Sequence, residues 1–230
     1  AEVGVAQNMN AAGNLDAAIE KLRRSVAADP QNIDAMTAYA DMLRASERYK
    51  EAAEAYTKVI GMVGGEHPQD WRYYYLRGMC FERNKEWSQA EADFQKALDL
   101  NPGNPQVLNY LGYSWIDQGV HLDEALEMIR EALSADPSDG YVVDSLGWAY
   151  YRLGRFEEAV QTLEQAVQLR ASEQAINDHL GDAYWKAGRK LEARFQWTIA
   201  SDLDPKTEIG ENARTKLDEG LKPTDTASNG

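Results

Sequence analysis

Apolar and small residues recur at helical spacing through the second half of the chain. Leu108, Leu111, Gly112 and Trp115 are followed by Val143, Leu146, Gly147 and Tyr150, then by Asn177, Leu180, Gly181 and Tyr184, the last set opening on a polar residue. Spacings of three and four put each set on one face of a helix. A second run follows each time, carrying Ala125, Ile129 and Ala132, then Ala159, Leu163 and Ala166, then Ala193, Trp197 and Ala200. Gly or Ala lets two helix axes approach closely, while the large residue three or four positions away fills the space beside them. The pattern predicts helix pairs repeated along the chain.

Turn residues mark the same period. Gly119, Gly154 and Gly188 fall where each first helix must stop, because glycine accepts the left-handed backbone of a helix C-terminus. Asp29-Pro30, Asn101-Pro102, Asp136-Pro137 and Asp204-Pro205 each follow an amphipathic run, and proline excludes the helical conformation before it. The last three fit a period of about 34 residues, with one repeat lacking its proline.

The chain therefore divides into five units, 33–70, 71–104, 105–139, 140–173 and 174–207. Residues 1–32 form a partial repeat whose Leu15–Pro30 stretch matches a second helix. Residues 208–221 read as a polar helix capping the last unit, as solenoid ends require. Residues 222–230, KPTDTASNG, read as a disordered tail. Some positions depart from the pattern. The first full unit has Tyr39-Ala40 in place of Leu-Gly, and its long closing turn, GMVGGEHPQD, is expected to loosen stacking on the next unit. Arg77 takes a leucine position, and one extra residue between Gly119 and Ala125 predicts a bulged turn.

Composition narrows the function. Hydrophobic residues make up 43% and charged residues 27%, as in folded proteins. No apolar run approaches the roughly 18 residues that span a bilayer. The start, AEVGVAQNMN, lacks a basic, apolar secretion signal and an initiator Met, and reads as a mature or cut end. The net charge of −14 argues against nucleic acid and anionic membrane as partners. Cys80, the single cysteine, excludes an internal disulfide and a cysteine metal cluster, and its neighbours Met79 and Phe81 suggest a packed, inert thiol.

No catalytic constellation stands out. His67, His121 and His179 show no zinc-ligand spacing, and Gly64-Gly65 lacks the Lys and Ser/Thr of a phosphate loop. Asn177, Asp178, His179 and Asp182 lie close on one predicted helix and are expected to form a solvated polar face. The chain is read as a non-enzyme with neither cofactor nor metal.

The informative anomaly is the side of each first helix turned away from the predicted core. Advancing 100° per residue, that side carries Tyr75, then Tyr113 and Ile116, then Tyr141, Trp148 and Tyr151, then Trp185. Asn109, Asp144, Asp178 and Asp182 are interleaved with these rings. Two readings stand. Neighbouring first helices bury the rings against each other, or the rings form a peptide groove whose acids favour a basic or amine-bearing ligand.

The repeated Leu-Gly-x2-Tyr, Ala-x3-large and Pro positions resemble the tetratricopeptide repeat (TPR), whose signature is W-x2-L-G-x2-Y, A-x3-F and P. The resemblance covers Leu15 to Pro205 and is strongest over the last three units. It implies an all-α, right-handed superhelical solenoid of helix-turn-helix repeats that acts as a scaffold for a protein or peptide partner. It also implies that Tyr75, Asn109, Tyr113, Asp144, Trp148, Tyr151, Asp178, Asp182 and Trp185 line a concave groove. The Lys, Arg and Asn clamp with which some members hold a C-terminal carboxylate is not matched.

The segments NYLGYSWIDQG, VVDSLGWAYYRLGRFEEAV and INDHLGDAYWKAGRKLEARFQW are similar to a narrower group, the bacterial envelope TPR proteins. Some of these are outer-membrane lipoprotein adaptors of carboxyl-terminal-processing proteases. That resemblance implies a periplasmic or outer-membrane-associated place, a protease partner and further repeats upstream. A cytoplasmic place, a self-assembling scaffold and the regulatory region of a longer enzyme are the alternatives.

Overall fold

The structure is a computed structural model that describes residues 2–222; of the expected tail at 222–230, residues 223–230 lie outside the described residues. Among the described residues there are thirteen α-helices, one short 3-10 turn and no strand. The chain forms two compact units, 1–102 and 103–230.

The first unit holds α1 (Glu2–Ala11), α2 (Leu15–Ala28), α3 (Ile33–Ala45), α4 (Tyr49–Val63), α5 (Trp71–Arg83) and α6 (Trp87–Leu100). The second holds α7 (Pro105–Gln118), α8 (Leu122–Ala135), α9 (Gly140–Arg152), α10 (Phe156–Leu169), α11 (Gln174–Lys186), α12 (Lys190–Leu203) and α13 (Glu208–Glu219). Each odd-numbered helix up to α11 packs most extensively on the helix that follows it. Helices α2, α6, α8 and α12 each end two residues before Pro30, Pro102, Pro137 and Pro205. Side-chain caps open several others: Asn32 accepts from the Ala35 N–H at 2.9 Å, Asp139 from Tyr141 at 2.9 Å and Thr207 from Gly210 at 3.1 Å.

The turn inside each pair has one shape. In α9–α10 the Gly154 N–H donates to Tyr151 O and the Arg155 N–H to Tyr150 O, with Gly154 left-handed at φ +74°. The same bonds close α3–α4 and α5–α6, but there Glu47 (φ 61°) and Lys85 (φ 62°) occupy the glycine position. Between α7 and α8 the extra residue gives two left-handed positions, Gly119 (φ 74°) and His121 (φ 48°).

The paired helices meet through the small residue. A Cβ on Gly147 would stand 2.5 Å from Leu163, and one on Gly112 would stand 2.9 Å from Ile129. The largest fully buried side chain, Trp197, fills the same position against Gly181. Arg77, at its leucine position, is satisfied by a two-pronged ion pair to Asp93 (2.7 and 2.7 Å) and a bond to Thr57 (3.0 Å). Burial pushes the Asp93 carboxyl above its ordinary value, with the Arg77 guanidinium working against that push.

The long turn after α4 does not loosen the first unit. Helices α4 and α5 pack as extensively as the other successive pairs of this kind. The turn is pinned: the His67 side chain and Asp70 cap the 3-10 turn Pro68–Asp70 reciprocally, the Tyr74 hydroxyl donates to Gly65 O (3.1 Å), and Lys96 pairs with Glu66 (3.0 Å).

Candidate partner-binding surface

In the second unit, Trp148 of α9 is partly exposed and stacked against two rings. Tyr151 lies one turn along the same helix with ring centroids 4.5 Å apart and planes 8° apart. His179 arrives from α11, 4.2 Å away and 16° from parallel. Its Nδ1 faces both Asp144 oxygens, at 3.0 and 3.1 Å. Burial is the largest influence on His179 and opposes its protonation, yet Asp144, joined by Asp178 and Asp182, prevails and raises the imidazole above its ordinary value. His179 is therefore not on a solvated polar face; it braces α11 against α9. The Trp148 indole N–H is buried with no hydrogen-bond partner.

Helix α13 packs on α11 as well. Lys216 Nζ donates to Asp178 Oδ2 (2.8 Å) and Asp182 Oδ2 (2.9 Å), and Trp197 Nε1 donates to Asp182 Oδ1 (2.9 Å). Burial raises the Asp182 carboxyl, with the Lys216 ammonium opposing it. Trp185 lies under Lys190, whose Nζ is 3.5 Å from the ring, and against Gly220, where a Cβ would come within 2.5 Å.

These placements differ from the expected open aromatic-acidic stripe. Tyr151 (3% exposed), Asp144 (7%) and Asp182 (5%) are core residues. All three expected acids already have basic partners: His179 for Asp144, and Lys216 for Asp178 and Asp182. Trp148, Trp185, Tyr113 and Asn109 remain partly exposed. Tyr75 belongs to the first unit, between Trp71 (6.0 Å) and Phe94 (6.2 Å), where burial raises its phenol. Lys216 was invisible as a partner because it lies 34 and 38 residues from the acids it meets.

A hollow also opens elsewhere. In the first unit a cleft of about 630 Å³ opens between α1, α3 and α5. Its walls carry Glu2 from α1, Asp34, Thr37 and Asp41 from α3, and Arg72 and Tyr73 from α5. The only signal for it in the sequence is the row Asp34, Thr37, Asp41 at helical spacing.

Among the described residues, no group of three or more His, Cys, Asp or Glu side chains could hold a metal ion. Cys80 is buried, which pushes its thiol up to about 12, far from a reactive thiolate. No described helix is long and apolar enough to cross a membrane.

Helix pairs repeated on one plan, with half-exposed rings along their first helices, define the class of α-helical repeat proteins that generally serve as interaction scaffolds. Family profiles agree: one described as "Tetratricopeptide repeat" matches 11–66, 45–105 and 83–140, and one described as "TPR repeat" matches 147–188. The chain belongs to the tetratricopeptide-repeat family.

It is 30% identical over 145 residues to the TPR repeat-containing protein PA4667 of Pseudomonas aeruginosa, covering 63% of this chain and 24% of that protein. The chain thus spans about a quarter of that relative's length. Among solved structures it is similar to the APC/C hetero-tetramer Cut9-Hcn1 (TM-score 0.78, 18% identity, 96% of this chain and 42% of that one). It is also similar to YrrB, described as a TPR protein with an unusual peptide-binding site (TM-score 0.57, 16% identity, 84% and 97%). At these identities the structural likeness speaks to fold alone.

Proposed function

We propose that the chain is a non-catalytic adaptor that holds a protein or peptide partner against its first helices, with Trp148 as the central contact in the second unit. The supporting observation is the state of that ring: it is partly exposed, fixed by stacking on Tyr151 and His179, and has an indole N–H without a partner. A ring immobilised before binding gives contact area at little entropic cost, and tryptophans dominate interface hot spots. Asn109 and Tyr113 of α7, which packs on α9, extend the same surface. Trp185, Tyr151 and the three aspartates serve it from behind by setting helix positions.

We place this adaptor in the bacterial periplasm or at the outer membrane, presenting substrates to a carboxyl-terminal-processing protease. The resemblance of the last three units to envelope TPR proteins supports this, as does the similarity to a Pseudomonas protein. The test is affinity capture from bacterial envelope extract on immobilised wild-type and Trp148→Ala chains of equal melting temperature. A protein held by the wild type and lost by the variant is expected. Equal capture by both would overturn the role of Trp148.

A second reading, self-assembly through outer faces, is favoured by Leu191 (82% exposed) and Phe195 (64%), one turn apart on α12. The matching positions of α10 are Glu157 and Gln161. Light scattering over a concentration series separates the two, since a monomer at high concentration removes self-assembly.

A further inference from the structure

We propose that the exposed face of α12, Leu191 and Phe195 with Lys186, Lys190 and Arg194 beside them, docks an amphipathic helix of a protein partner whose apolar side is flanked by carboxylates. The proposal rests on the reading of the chain as an interaction scaffold, but it uses a second helix and not the first-helix surface of Trp148.

The polarity of α12 is inverted relative to its counterparts. At the place of Leu191 the second helices of the other pairs, α2, α4, α6, α8 and α10, carry Asp16, Lys50, Ser88, Asp123 and Glu157. At the place of Lys190 each of them carries an apolar or aromatic residue, Phe156 in α10, and Arg194 stands where α10 has Val160. Apolar side chains have thus moved from the helix contact to the surface: Leu191 is 82% exposed and Phe195 64%. Singly scattered apolar residues on a surface are ordinary. These two lie one turn apart on one side of α12 and form a ridge that another helix can straddle.

Charge selects the partner. Lys190 and Arg194 stand one turn apart in the row beside the ridge. Lys190 donates to Trp185 O (2.9 Å) with its ammonium over the Trp185 ring, and Arg194 donates to Leu217 O. Carbonyl oxygens and a ring hold these cations in place without cancelling their charge. Among the described residues neither they nor Lys186 forms an ion pair, whereas Glu192, on the other flank, is paired with Arg189 (3.1 Å). Burial pushes the Lys190 ammonium below its ordinary value, and the charge of Lys186 adds to that push. A carboxylate brought to this face relieves the repulsion. A two-fold contact with a second copy would set the cationic face on itself, and the net charge of −14 opposes an anionic bilayer. A protein helix with carboxylates one turn apart, about 6 Å, meets both cations while its apolar side covers the ridge.

The experiment titrates the 230-residue chain into a fluorescein-labelled helical peptide of three Leu-Glu-Ala-Leu-Glu-Glu-Ala heptads, followed by anisotropy at low and high salt. Controls are the same peptide with lysines for glutamates and with alanines for leucines. The acidic leucine peptide should bind most tightly and more weakly at high salt, and both controls should lose most of the affinity. Phe195→Gln, which restores the residue of α10, should weaken binding by about tenfold or more, and Lys186→Glu by several-fold, with unchanged melting curves. Lys50→Glu makes the same charge change on the exposed side of α4 and should leave the affinity unaltered. No binding of the acidic peptide, equal binding of the lysine peptide, or equal loss from Lys186→Glu and Lys50→Glu would overturn the site. So would oligomers in light scattering that Phe195→Gln dissolves, which would make a second copy the occupant. Sedimentation with phosphatidylglycerol vesicles that Phe195→Gln abolishes would also overturn it, in favour of a membrane. Trp148→Ala should bind the peptide as the wild type does. Trp148-dependent capture from extract without peptide binding would remove this inference alone, and peptide binding without such capture would remove the Trp148 surface and leave the α12 face.

Discussion

The pyrrole side of the Trp197 indole lies against Gly181, so close that any Cβ on residue 181 would overlap the ring. Trp197 is fully buried and its Nε1 is tied to Asp182, so it cannot swing aside. Gly181→Ala should therefore cost about 2 kcal/mol or more from overpacking, despite the gain in helix propensity. Urea denaturation measures this, and adding Trp197→Leu should recover part of the loss, since Leu163 fills the equivalent place in the previous pair.

Glu47 and Lys85 hold a left-handed backbone where neighbouring turns use glycine. That conformation costs a residue with a Cβ about 1 kcal/mol. Glu47→Gly and Lys85→Gly should each stabilise the first unit by up to that amount, and Gly154→Ala should destabilise the second by a similar one. Thermal melts of the three variants check the opposite signs.

Arg77 and Asp93 form a largely buried ion pair, with 16% and 7% of their side chains exposed. Arg77→Leu, which restores the usual repeat residue, should destabilise by about 3–5 kcal/mol because it leaves Asp93 charged and alone. Arg77→Leu with Asp93→Leu should be nearly neutral by the same reasoning. A double-mutant cycle in denaturant gives the coupling directly.

His179 titrates above its ordinary value because Asp144, with Asp178 and Asp182 behind it, outweighs the opposing effect of burial. The folded state thus holds this proton more tightly than the unfolded chain. The stability from the pair is fully present below the unfolded value of about 6.5 and is lost as pH rises through the folded one. The melting-temperature gap between wild type and Asp144→Asn should narrow from pH 6 to pH 8. A gap that is constant or widens would show that His179 stays neutral.

Helix α13 covers Trp197 and sets the Lys216 ammonium between Asp178 and Asp182. Deleting the residues after Pro205 should raise hydrogen exchange in α11 and α12 first, because repeats are stabilised by their neighbours. Lys216→Met in the full chain should reproduce part of the effect, since it strands two acids.

The helices, their pairing and the family were legible in the sequence because they rest on local regularities. Leu180, Gly181 and Tyr184 show a helical face by spacing alone, Gly154 marks a turn by its backbone freedom, and the prolines end helices sterically. Which rings on the opposite face stay open is not a local property. Tyr151 and Trp148 are three residues apart on one helix, yet the first is 3% exposed and the second is partly open, because Tyr151 enters the buried cluster with Leu163, Leu180 and Ala183 and meets Phe156 of α10, whereas Trp148 only packs against that cluster. The acids read as ligand-facing depended likewise on groups more than 30 residues distant: His179 for Asp144, and Lys216 for Asp178 and Asp182. Periodicity gives the direction of a side chain from its own helix axis, whereas the cleft of the first unit and the pairing of those charges arise only when separate helices dock. Long-range packing sets the distances over which burial and Coulomb energies act.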